Sequence, residues 1–69
     1  MSCEEAWSRV RELAGRAANA HQAYAALVKT LPLTTETILV IAEAREQGNQ
    51  ADQALGSAMQ AAIRAQRQH

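Results

Sequence analysis

The chain has a single proline, Pro32, and it falls close to the middle of the 69 residues. A proline disfavours helix at the residue before it, here Leu31. On either side lies a long stretch rich in alanine, the best helix former. There are sixteen alanines against twelve residues of Leu, Ile and Val, and no Phe. The composition therefore predicts an all-α chain with a lean core. The reading is one domain over residues 1–69, with helix 1 over about 3–31, a turn over 32–34 and helix 2 over about 35–66. A joint this short places consecutive helices antiparallel, as a helical hairpin.

Start and stop signals agree with this division. Ser2 is a cap residue, and Glu5 three positions on completes a capping-box pattern. Thr34 or Thr35 caps helix 2, with Glu36 in its first turn. Arg64 and Arg67 suit its negative C-terminal end. Inside helix 2, Gly48-Asn49 is an uncertain joint, because glycine costs about 1 kcal/mol in a helix interior. Two alternatives stay open there: one continuous helix, or a break that makes three helices.

In helix 1 an apolar stripe recurs at spacings of four and three through Ala6, Val10, Leu13, Ala17, Ala20, Tyr24, Leu27 and Leu31. Such spacing marks one buried helix face. Helix 2 carries a matching stripe through Ile41, Ala44, Gly48, Ala51, Leu55, Ala58, Ala62 and Ala65. Folding about Pro32 sets residue i near residue 65 − i. Leu27 is then expected opposite Ile38, Tyr24 opposite Ile41 and Val10 opposite Leu55, around a waist of small residues at Ala14, Ala17, Ala18, Gly48 and Ala51.

Two features exceed what a lone hairpin can cover. The first is a second uncharged stripe on helix 1, through Trp7, Ala14, Ala18, His21, Ala25 and Val28. Two adjacent apolar stripes call for two neighbours, and a hairpin supplies one. The second copy of a homodimeric four-helix bundle is the simplest other neighbour. The expected dimer interface is Trp7, Ala14, Ala18, His21, Ala25 and Val28, with Val40 from helix 2. The second feature is the run Ile38-Leu39-Val40-Ile41, too wide for one helix face. Ile41 and Ile38 are expected to close the hairpin, while Leu39 projects among Glu43, Glu46, Gln50 and Gln53. A short strand over this run stays open, since periodicity does not separate four to six β-prone residues from a buried helical turn. Leu39, Tyr24 and Arg16 are the expected partner-binding positions, because exposed tyrosine and arginine recur in binding hot spots.

The functions that composition disfavours are as informative. Seven basic residues balance seven acidic ones, so there is no general attraction to nucleic acid or to an anionic membrane. Arg9 and Arg16 alternate with Glu5 and Glu12 along one helix face, the pattern of a solvated surface. No apolar run approaches the ~20 residues that span a bilayer. The N-terminus, with Glu4 and Glu5, is not a signal peptide, and the expected location is cytoplasmic. One cysteine, Cys3, allows no internal disulfide. Two histidines and that cysteine do not make a zinc site. No catalytic set, cofactor motif or metal motif is present, and the expectation is no enzyme, no cofactor and no metal. Six of the seven basic residues are arginine, which fits a GC-rich bacterial genome.

Over about twenty residues, Ala44-x-x-x-Gly48 and the Gly-Asn joint resemble a helix-turn-helix. The would-be reading helix, Gln50 to Met59, carries Asp52 and no basic residue. In overall plan the hairpin resembles RNA-binding helical hairpin dimers, which need a basic face. It also resembles small bacterial secretion co-chaperones and phage- or plasmid-encoded anti-regulators. No motif establishes any of these families. The function that remains is a non-enzymatic protein-binding module that sequesters, inhibits or chaperones a larger bacterial protein, a regulator or secretion component. A nucleic-acid-binding dimer and an obligate subunit of a larger complex are the alternatives.

Overall fold

A computed structural model describes residues 2–68. Helix α1 runs Cys3–Thr30 and helix α2 runs Thr35–Arg67. They pack antiparallel into a rod with dimensions of 53 × 14 × 12 Å. The described residues contain no strand, so the run Ile38 to Ile41 is helical.

Each helix begins where the cap chemistry puts it. The Ser2 hydroxyl accepts a bond from the Glu5 amide at 3.2 Å, which satisfies one of the free amides of the first turn. At the second start, Thr34 accepts from the Thr37 amide at 3.2 Å, and the Thr34 amide donates to the Thr37 hydroxyl at 2.8 Å. Thr34, rather than Thr35, is thus the cap, and Thr37 supplies the other half of a capping box. Thr37 also donates its hydroxyl to the Pro32 carbonyl, tying the turn to the helix that follows. Leu31 is extended, at φ −89° and ψ 141°, as expected for a residue before proline.

α2 is continuous through Gly48 and Asn49, so the three-helix alternative falls. Gly48 is buried on the seam. A methyl group there would lie 3.2 Å from the His21 ring. Glycine thus costs helix propensity but makes room for an imidazole that crosses the joint between the helices.

The buried and half-buried positions include every residue of the two predicted stripes and add Cys3, Trp7 and Thr37. Among the described residues only Ala6, Leu13, Ala17, Gly48 and Ala62 are buried, and no large side chain is completely enclosed. One expectation is corrected. Ile38 does not close the hairpin against Leu27, being 53% exposed. Counting back four from Ile41 reaches Thr37, which is half-buried in its place. A threonine can take that inner position because its hydroxyl is already bonded within the cap and turn.

The glycines separate two effects. Gly15 has open space where a side chain would go, so Gly15→Ala is expected to stabilise the chain by about 0.5–1 kcal/mol through helix propensity. Gly48→Leu is expected to destabilise it by roughly 1–3 kcal/mol through overpacking of the seam. Urea unfolding followed by circular dichroism measures both, and a Gly48→Leu chain as stable as the native one would refute the close approach.

Candidate functional site

Seam positions alternate at spacings of four and three along both helices, the pattern of helices wound around each other. Residues seven apart therefore keep the same place beside the seam. This divides the surface of the rod into two long sides.

One side carries Trp7, Ala14, His21 and Val28 from α1, and Ile38, Arg45, Asp52 and Met59 from α2. Its middle is marked by a cross-helix bond. His21 Nε2 lies 3.0 and 2.9 Å from the two carboxylate oxygens of Asp52. Both side chains are about half exposed, at 49% and 52%. A side-chain bond this open contributes little to the stability of a lone hairpin, at most about 1 kcal/mol. Either side of the pair lie exposed apolar groups, interrupted by Arg45 and, around Trp7, by Glu4, Ser8 and Arg11. Val28 is 45% exposed, Met59 43% and Ile63, the residue four after Met59, 40%. Trp7 is half-buried. Ala18 and Ala25, both exposed, complete this side on α1.

The opposite side carries Arg9, Arg16, Ala23 and Thr30 from α1, and Val40, Gln47, Ala54 and Ala61 from α2. Arg9, Leu13, Ala54 and Ala61 line an apolar groove there. Glu12 takes both arginines, Arg9 at 3.4 Å and Arg16 at 2.6 Å. These guanidiniums are committed along their own helix, which weakens any reading of this side as a phosphate-binding face.

The structure thus brings together six of the expected interface residues, Trp7, Ala14, Ala18, His21, Ala25 and Val28, and separates Val40 from them. Val40 shares its row with Ala54 and Ala61, across the rod from His21. The sequence had aligned it with the second stripe only by adjacency to the inner face of its own helix. Ile38, Met59 and Ile63 belong to the His21 side and were not anticipated there. The signal existed in the spacing of Ile38, Met59 and Ile63 relative to the α2 seam, but choosing the correct flank needed the register of the two helices.

The expected partner-binding residues do not form one patch. Tyr24 is half-buried in the seam. Arg16 is bonded to Glu12 on the arginine side. Leu39 is 67% exposed on the outer surface of α2, between Glu36 and Glu43, near the turn. Of the three, Leu39 alone is an exposed apolar group without a place in the hairpin's packing.

Among the described residues there is no cluster of three or more His, Cys, Asp or Glu side chains that could hold a metal, and no helix is long and apolar enough to cross a membrane. No protein family, curated protein or solved structure matches this chain.

Leu39→Glu is expected to change the unfolding free energy by no more than about 0.5 kcal/mol, as for surface substitutions generally. A thermal denaturation curve checks this; a large loss of stability would mean that Leu39 is covered within the folded chain.

Proposed function

We propose that this chain is a non-enzymatic protein-binding module that pairs through its His21 side into a homodimeric four-helix bundle. The dimer then sequesters, inhibits or chaperones a larger bacterial protein, a regulator or a secretion component. One observation carries the reading: the exposed apolar side chains Val28, Ile38, Met59 and Ile63 all lie on the side that also bears Trp7. A hairpin with five buried residues among those described has little core of its own, and small domains without disulfide or metal commonly gain stability by association. Leu39, Glu36 and Glu43 remain outside that pairing surface and form the part of the module available to a different protein.

The same lean core supports a second reading, an obligate subunit whose apolar side meets a different chain. Sedimentation equilibrium of the isolated protein separates the two. A folded dimer is the outcome for the homodimer, and a monomer that is largely unfolded is the outcome for the obligate subunit. Ala18→Glu adds a carboxylate to the pairing side without touching the seam. It is expected to weaken dimerisation at least tenfold, about 1.4 kcal/mol, and an undiminished dimer would remove this side as the interface. With native protein and Leu39→Glu as parallel baits, a protein retained by the first and lost by the second would be the bound target.

A further inference from the structure

Two exposed apolar residues near the turn are enclosed by carboxylates. Leu39 and Val40 both face water. Glu36 precedes them by three and four residues, and Glu43 follows them by four and three. Residues at these spacings are neighbours on a helix surface, and α2 is unbroken from Thr35 to Arg67. Leu33, in the turn just before α2, is 78% exposed and adds a third apolar group at the closed end of the rod. Neither Leu39 nor Val40 lies on the His21 side, so the homodimer leaves them open.

The chain has seven acidic residues, and the fold accounts for all but two. Glu12 and Asp52 have bonded partners. Glu4, Glu5 and Glu36 sit in first turns, where the positive end of the helix dipole favours them. Glu43 and Glu46 have neither support. They stand three residues apart, a slightly repulsive spacing for like charges. Arg45 is the one cation between Thr35 and Ile63. It lies in the row of Ile38 and Asp52, and among the described residues no ion pair joins it to either glutamate.

We infer that this patch docks a basic amphipathic helix of the bound protein. An apolar side chain of that helix covers Leu39 and Val40, and its lysine or arginine side chains meet Glu36, Glu43 and Glu46. The inference rests on the reading of the chain as a protein-binding module and names the chemistry of what the module binds. A solvated face explains the glutamates but not the leucine and valine set among them. An apolar contact alone explains the leucine and valine but not the unpaired charge. An apolar centre with a charged rim is the usual anatomy of a binding surface, and the sign of the rim selects the partner. The occupant is a helix because α2 offers ridges of side chains and no free backbone edge, which strand addition requires. Anionic lipid and nucleic-acid phosphate are repelled by the same carboxylates.

Two synthetic helices serve as probes. Both carry the same leucine stripe; one flanks it with lysine and the other with glutamate. Fluorescence anisotropy of the labelled peptide reads binding. The native chain is expected to bind the lysine helix at least tenfold more tightly than the glutamate helix, and less tightly as salt rises. The double variant Glu43→Gln with Glu46→Gln, and separately Leu39→Ser, are each expected to lose at least tenfold. Serine is used because a glutamate at position 39 would itself attract the lysine helix. Ser8→Lys with Gln60→Lys makes the same change in net charge at the open end of the rod and is expected to bind as the native chain does. All five positions are exposed, so helicity by circular dichroism is expected to stay native. A lysine helix bound no better than the glutamate helix, or held equally well without Glu43 and Glu46, would overturn the basic partner. An equal loss in the Ser8 and Gln60 variant would do the same, by showing attraction to total charge. A larger assembly of the native chain that Leu39→Ser disperses would place a further copy on the patch instead. Binding of neither helix also overturns the inference, whereas the protein-binding reading falls with it only if native and Leu39→Glu baits retain the same proteins.

Discussion

The close approach of α1 and α2 along alanine and glycine governs the rest of the molecule. Small seam residues let two long helices touch over nearly their full length. They also give little apolar area in return, since burial contributes in proportion to the surface removed from water. Leu13 is the only large side chain among the buried residues. The bulkier groups that would fill an ordinary core, Trp7, Val28, Ile38, Met59 and Ile63, sit beside the seam instead.

Gly48 and His21 express the same constraint in one place. The missing side chain at Gly48 admits the His21 ring, and the ring crosses to Asp52. A residue that looks like a helix breaker in sequence is therefore a spacer in the structure. Its helix persists because the seam on both sides keeps strict spacing from Thr37 to Ala65, and because tertiary packing outweighs the propensity cost of a single glycine. The result is a half-exposed polar bond set between the apolar groups of that side.

Much of the architecture was legible beforehand because it depends on local rules. Pro32, the two threonines after it and the four-three spacing of apolar residues each act within a few positions. Both seam stripes were readable to the residue, from Ala6 to Leu31 and from Ile41 to Ala65. The misplaced residue and the unresolved joint arose where two local rules compete. At Ile38 and Thr37, hydrophobicity pointed to the isoleucine as the inner residue, while the helical phase and the capping bonds selected the threonine. At Gly48-Asn49, propensity left a break open that packing closed.

The sequence by itself determined the two helices, the turn and the inward face of each, since these follow from periodicity and capping chemistry along one chain. The tertiary structure alone decided which flank of α1 shares a side with which flank of α2. That choice depends on the handedness and register with which two helices wind together, neither of which is written in the spacing of one helix. It moved Val40 away from the expected interface, brought Ile38, Met59 and Ile63 to it, and joined His21 to Asp52 across 31 residues of sequence.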